Sequence, residues 1–184
     1  GRAQSAFVDE RAFDPEYVWT YEAGVKSHWL VGRGTVGLTV FHSDYTNLQL
    51  LALSSDGGAP VVVVENAGEA RIDGFELELG ARPTPDWLLS LGVSGLRARY
   101  TRLDAAVSGL SLASRLPKTP AWTINVGIER GFATRLGRLT ARGDYAYRSK
   151  VENTADNSPI VSQDGIGLID AELTLQPRAK SWSI

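Results

Sequence analysis

The chain carries no cysteine and no methionine among its 184 residues. Without cysteine there is no disulfide to staple the fold, and no thiolate for nucleophilic, redox or metal chemistry. No apolar run approaches the roughly 18 residues that a membrane-crossing helix needs. An excess of either charge is missing too: a formal net charge of −2 argues against a nucleic-acid-binding surface. The charged fraction of 22% and the hydrophobic fraction of 43% are ordinary. They do not separate a globular domain from a membrane-spanning β-barrel, because half of each barrel strand faces a polar lumen. The sequence starts at Gly1 with no signal segment and stops at Trp182-Ser183-Ile184, within what reads as a new apolar alternation. Both ends are therefore expected to be cut from a longer chain.

What is present is alternation. Residues 16–49 place Tyr17, Trp19, Tyr21, Ala23, Val25 and Trp29 on one side of a period-two pattern, and Thr20, Glu22, Gly24, Lys26 and His28 on the other. That period describes a β-strand with one apolar and one polar face. Strands of soluble proteins usually stop at about 5–6 residues, whereas this run continues for about twice that, close to the ~9–11 tilted residues that cross a bilayer. A turn at Gly32-Arg33-Gly34 returns the chain into a second long strand.

The pattern repeats. A third, irregular strand region occupies residues 61–82, and its last part sets Phe75, Leu77 and Leu79 against Glu76 and Glu78. A fourth, over residues 87–101, sets Leu89, Leu91 and Val93 against Ser90, Gly92 and Ser94. A fifth opposes Trp122, Ile124, Val126 and Ile128 to Thr123, Asn125, Gly127 and Glu129; a sixth opposes Leu139, Ala141, Tyr145 and Tyr147 to Thr140, Arg142, Asp144 and Arg148. A seventh opposes Ile169, Ala171, Leu173 and Leu175 to Asp170, Glu172, Thr174 and Gln176, and an eighth starts near Trp182. Short connections (32–34, 83–86, 134–137, 177–180) alternate with longer polar ones (54–60, 102–119, 152–163). Outer-membrane barrels have this asymmetry, with short periplasmic turns and long outer loops. Tyr17, Trp19, Trp29, Trp87, Trp122, Tyr145, Tyr147 and Trp182 fall near strand ends, as interfacial aromatic girdles require. The fold expected is all-β: an antiparallel transmembrane β-barrel segment of about seven to eight long strands.

Local motifs for other chemistry fail on context. Gly32-Arg33-Gly34-Thr35-Val36-Gly37 matches G-x-G-x-x-G, but a dinucleotide site needs a helix to begin there and TVGLTVF alternates as a strand. Gly109-Leu110-Ser111-Leu112-Ala113 lacks the second glycine of a nucleophile elbow. His28 and His42, the only histidines, have no metal-ligand spacing. No catalysis and no cofactor are expected.

Four segments in order resemble the C-terminal part of the β-barrel of TonB-dependent outer-membrane receptors, and the likeness covers nearly the whole chain. They are Pro15-Glu16 with Tyr21-Glu22-Ala23-Gly24-Val25-Lys26; Val40-Phe41-His42-Ser43-Asp44-Tyr45-Thr46-Asn47-Leu48-Gln49; Asn66-Ala67-Gly68-Glu69-Ala70 followed by Asp73-Gly74-Phe75-Glu76-Leu77-Glu78; and Leu116-Pro117-Lys118-Thr119-Pro120. The resemblance implies a barrel of about 22 strands around a plug, in the outer membrane of a Gram-negative bacterium. It further implies energised import of a ferric siderophore or another scarce nutrient. The partners implied are outer-membrane lipid, the remaining strands and plug, TonB acting through that plug, and the small iron-bearing ligand.

Within those motifs, Glu22 with Lys26, and Glu76 with Glu78, either line a lumen or form a hydrated ladder paired with Arg142 or Arg148. Gly68 and Gly74 suit a bulge or a strongly bent strand, where Asn66 could hydrogen-bond the backbone. The polar loops are the expected place for ligand, with no single contact residue evident. Two other architectures fit the alternation less fully: a self-contained barrel of about eight strands, which must pair its first and last strands, and a soluble β-sandwich, which conflicts with apolar rows on nearly every strand.

Overall fold

The computed structural model describes residues 14–29, 31–54, 61–104 and 110–178, with the side chains of 51–54, 61–65 and 67 left aside. Seven strands follow one another in a single antiparallel meander, each hydrogen-bonded to its neighbours in sequence. They are β1 (Tyr17–Trp29), β2 (Gly34–Ser54), β3 (Val61–Ala81), β4 (Trp87–Leu103), β5 (Trp122–Ala133), β6 (Gly137–Arg148) and β7 (Ile166–Pro177). No helix occurs among the described residues. The sheet is open: β1 and β7 are its two edges, so the described strands do not close a small barrel among themselves. The expected eighth strand lies outside the described residues.

Register turns seven separate alternations into two continuous faces. Partners across an antiparallel pair project to the same side. Ala23, Val40, Phe75, Gly95 and Trp122 form one such row, and Val25, Leu38, Leu77, Val93, Ile124, Tyr147 and Gly167 form the next. The following row holds Ser27, Val36, Leu79, Leu91, Val126, Tyr145 and Ile169. This is a broad apolar face on which none of the described residues packs: Trp19, Tyr21, Leu173 and Ile169 are 66–81% exposed. An uncovered apolar surface of this breadth needs an apolar medium or partner. From Trp122 to Phe132 the apolar side of β5 runs ten residue steps, roughly 33 Å at ~3.3 Å per step. Tilted by ~35–45°, that stretch stands about 25 Å tall, the height of a barrel's lipid-facing band.

Of the aromatic residues expected at strand ends, Trp182 lies outside the described residues, and the others all lie on this apolar face. Tyr17, Trp19, Trp122 and Tyr147 sit at the long-loop end of their strands, and Trp29 and Trp87 at the short-turn end. Arg130 also lies on the apolar face near the short turns, its guanidinium 4.8 Å from the Trp87 ring centre and 4.7 Å from that of Phe132. A cation held between aromatics at the band's edge can keep its charge at the interface while its stem stays in apolar surroundings.

The short connections are built for tight reversal. Val31 and Gly32 both have positive φ, 52° and 81°, as the primed hairpin turns require. Gly137 has φ 152°, and a Cβ there would run into the Gln176 carbonyl oxygen. Two further glycines seat aromatic rings: Phe75 covers Gly95 on the apolar face, and Phe41 covers Gly74 on the polar face. Gly74 lies in regular register, opposite Phe41 and Leu96, so the ring and not a bulge is what demands a bare Cα there. A Cβ on Gly74 would lie 2.5 Å from Phe41 Cζ and 2.8 Å from Leu96 Cδ2. Gly74→Ala is therefore expected to destabilise the barrel by about 1–3 kcal/mol through overpacking. Adding Phe41→Leu should recover part of that loss. The urea midpoint of the heat-modifiable band of the full-length protein on gels reads both effects, and a Gly74→Ala midpoint equal to wild type would refute the account.

Candidate functional site

The motif residues singled out from the sequence lie on the polar face or at the long-loop end of the sheet. Glu22, Gly24 and Lys26 project from β1, Phe41 and Tyr45 from β2, and Gly74, Glu76 and Glu78 from β3. Lys26 and Glu78 share a row with Gly37 between them, and a Cβ on Gly37 would sit 3.8 Å from both Lys26 Cγ and Glu78 Oε2. The bare glycine leaves room for these two longer side chains to lean toward one another. A ladder joining these acids to Arg142 or Arg148 does not form. Arg142 is on β6, three strands from β3, roughly 14 Å at ~4.8 Å per strand, and donates instead to Asp144 at 2.6 and 2.9 Å. Arg148 donates to Gln163.

At the long-loop end, three of the motif segments meet in one polar knot. Register shifts mark a bulge in β2, where Asn47 has φ 56° and pairing resumes at Leu48 opposite Gly68, and a second in β3 at residue 67, after which Gln49 pairs with Asn66. Asparagine is among the few residues that take this backbone readily. Asn66 binds across the irregularity: Nδ2 donates to the Asn47 carbonyl at 2.7 Å and to the Asp14 carbonyl at 2.8 Å. Its Oδ1 accepts from the Asp14 N–H at 2.7 Å. The Gln49 N–H donates to Glu16 Oε1 at 2.6 Å, and Gln49 Nε2 donates to the Asp14 carbonyl at 3.2 Å. Backbone groups that the bulge leaves without ladder partners thus find side-chain ones, as buried or half-buried strands require.

Above the same strands, the polar face turns apolar. Leu50, Ala70, Tyr100 and Leu116 are 1–8% exposed and form the main buried cluster among the described residues. Tyr45, Leu48, Ile72, Ala98 and Leu103 surround it from the strands, and Leu110 and Ala155 from two long loops. Pro117 and Lys118 occupy a turn, Lys118 with φ 58°, closed by Thr119 Oγ1 donating to the Leu116 carbonyl at 2.7 Å. Proline pre-sets such a turn; Pro120 then leads into β5. The two loops are stitched together. The Arg115 N–H donates to Asn157 Oδ1 at 2.6 Å, Asn157 Nδ2 donates to the Arg115 carbonyl at 2.9 Å, and the Lys118 N–H donates to the Glu152 carbonyl at 2.8 Å. Hydrogen bonds from the Thr154 side chain and the Ser158 N–H hold the Asp156 carboxyl below the usual carboxylate range. Sequence reasoning did not single out Asn157; the Asp156-Asn157-Ser158-Pro159 run was the available signal, a turn composition in which asparagine readily takes the positive φ, 54°, that it has here.

The family model for the TonB dependent receptor-like beta-barrel matches residues 2–184. The chain belongs to this family of barrel domains. It is 35% identical over 113 residues to the metal-pseudopaline receptor CntO of Pseudomonas aeruginosa, an alignment spanning 60% of this chain and 14% of that receptor. It is 26% identical over 95 residues to the probable TonB-dependent siderophore receptor PiuA of Acinetobacter baumannii, spanning 52% of this chain and 12% of that protein. In fold it is similar to the ferric yersiniabactin uptake receptor FyuA of Yersinia pestis, with TM-score 0.71 and 22% identity over 89% of this chain and 23% of that one. It is likewise similar to the ferric preacinetobactin receptor BauA of A. baumannii, with TM-score 0.67 and 22% identity over 88% of this chain and 23% of that one. The chain therefore spans about a quarter or less of each relative's length.

The knot makes a clear prediction. Asn66→Ala removes three hydrogen bonds, leaves the Asn47 carbonyl without its side-chain donor, and should cost about 1–3 kcal/mol locally. Hydrogen exchange of the full-length protein should quicken at Asp14 and through residues 45–49, with β5 to β7 unchanged. Equal exchange in variant and wild type would mean that the knot is incidental.

Proposed function

We propose that this chain forms part of the barrel wall and outer loops of an outer-membrane TonB-dependent receptor of a Gram-negative bacterium. The receptor imports a ferric siderophore or another scarce metal complex. The observation that carries this reading is the two-faced sheet: one continuous apolar face edged by aromatics, and an opposite face lined by Glu22, Lys26, Glu76, Glu78, Asn125 and Asp144. In a closed barrel the first face meets lipid and the second faces the lumen and its plug. The remaining strands, to about 22 in all, and the plug that engages TonB would come from the rest of the receptor. The task is transport, with no chemistry asked of these residues.

The names of the relatives support the substrate class. The geometry supports placing ligand contact on the stitched loops, because they fold over the polar face at the long-loop end. The motif residues of the knot then have a scaffolding role: they fix the strand ends from which those loops spring. Gly68 serves the bulge, and Pro117 and Pro120 set the path of one loop.

Deleting the full-length gene should abolish growth on one ferric siderophore of a panel under iron limitation, and the wild-type gene should restore it. Asn157→Ala should restore it poorly, with ligand affinity reduced roughly five- to 150-fold for two lost cross-loop hydrogen bonds at about 0.5–1.5 kcal/mol each, while the heat-modifiable band stays intact. Unchanged uptake across every siderophore and metal complex tried would overturn the substrate class.

A further inference from the structure

The short-turn end of the sheet carries nearly one sign of charge. The short connections and the strand ends beside them, residues 31–33, 82–87, 130–138 and 177–178, hold Arg33, Arg82, Arg130, Arg135, Arg138 and Arg178 against a single acid, Asp86. Positive charge therefore gathers at one end of a chain whose formal net charge is −2. Asp86 is engaged by Arg138 at 3.0 Å. Among the described residues no carboxylate pairs with the other guanidiniums, and all of those side chains are exposed.

Backbone bonds between the connections hold these arginines in a line. The Arg82 N–H donates to the Arg33 carbonyl at 2.7 Å, the Gly131 N–H to the Asp86 carbonyl at 2.8 Å, and the Arg178 N–H to the Leu136 carbonyl at 3.3 Å. Neighbouring connections lie two strands apart, roughly 10 Å at ~4.8 Å per strand. That spacing lets each turn meet a separate anion. Depth says which kind. Trp29 and Trp87 stand at the edge of the apolar band, and the turns that carry Arg33 and Arg82 follow or precede them directly. Connections this short keep their side chains at the level of headgroups. Arg130 is on the lipid side itself, between the Trp87 and Phe132 rings. Val31 and Leu136, exposed at two turn tips, set apolar side chains beside Arg33 and Arg135. Cations mixed with apolar groups make the surface of an interfacial segment.

We infer that this rim binds anionic phospholipids of the periplasmic leaflet, one phosphate to each arginine-bearing turn. The inference rests on the membrane placement proposed above. A guanidinium fork matches two phosphate oxygens at once. Surplus positive charge at a leaflet surface favours a lipid of net negative charge over a zwitterionic one, whose own ammonium cancels its phosphate.

The test uses the full-length receptor in nanodiscs of phosphatidylcholine and phosphatidylglycerol in equal amounts. Lipid retained on the receptor is counted by native mass spectrometry. Wild type should retain phosphatidylglycerol in excess, less so at high salt, and added inorganic phosphate should not displace it. Arg33→Gln, Arg82→Gln, Arg130→Gln, Arg135→Gln and Arg178→Gln combined should lower that excess at least about fivefold. Lysine at the same positions should lower it less, and Arg142→Gln on the lumen face should match wild type. A wild type that inserts but retains both lipids equally overturns the inference and leaves the membrane placement standing. A combined variant with an intact heat-modifiable band and the wild-type excess does the same. Displacement of the lipid by inorganic phosphate also overturns it, since the rim would then be a general anion site. A receptor that does not enter nanodiscs at all overturns both.

Discussion

Every strand of this sheet must find partners for its backbone N–H and C=O groups where water cannot supply them. In hydrocarbon an unpaired group costs several kcal/mol, so the ladder comes first and the rest of the structure conforms to it. Consecutive strands pair in simple meander order because that satisfies the most groups with the shortest turns. Pairing in turn fixes register, and register decides which residues share a face. Shifting one strand by a single residue would carry Val36, Leu38 and Val40 to the polar side and Thr35, Gly37 and Thr39 to the lipid side. The turns with positive φ at Val31, Gly32 and Gly137 are therefore part of the same constraint, because they hold the register at the short-turn end.

At the other end the constraint relaxes and the sheet changes character. Strands β2 and β3, 21 residues each, are far longer than a bilayer demands, and along them both faces change over. The lipid side goes from Leu38 and Leu77 to Asp44 and Arg71. The opposite side goes from Glu76 and Glu78 to Ile72 and Ala70, which seat the loops. Two solvents act on one strand: hydrocarbon then headgroup on the outside, lumen water then packed loop on the inside. Where the two regimes meet, the ladder is interrupted by the Asn47 bulge, and Asn66, Gln49 and Glu16 supply the missing partners.

That changeover also explains which parts of the fold were legible in the sequence. In β5, Trp122, Ile124, Val126 and Ile128 stay within one regime, so period two reads without ambiguity. In β3 the residues 70–79 alternate throughout but exchange sides midway, which makes the strand look irregular to a single-period reading although its pairing over that stretch is regular. The motif residues Asn47, Gln49, Asn66 and Gly68 stood out individually. The convergence of Gln49 and Asn66 on Asp14 and Glu16 depends on contacts 33 to 52 residues apart in sequence, which no local pattern encodes. The supposed pairing of Glu76 and Glu78 with Arg142 or Arg148 failed for the same reason: charge signs are visible in sequence, but strand neighbourhood is not.

The division of labour along each strand bears on how such a domain can vary. Apart from glycines that seat a neighbour, such as Gly95 beneath Phe75, the middle of the sheet tolerates most side chains of the right polarity on the right face, since its stability comes from the ladder and from lipid contact spread over many residues. The ends tolerate less. Gly74 beneath Phe41, Gly137 against Gln176, Asn66 across the bulge and Asn157 between the loops each meet a steric or hydrogen-bond demand that few residue types satisfy. Loop sequence can then change while the knot that anchors the loops does not. A barrel of this kind separates what can vary from what holds it together, and the boundary runs through the rows where both faces change over.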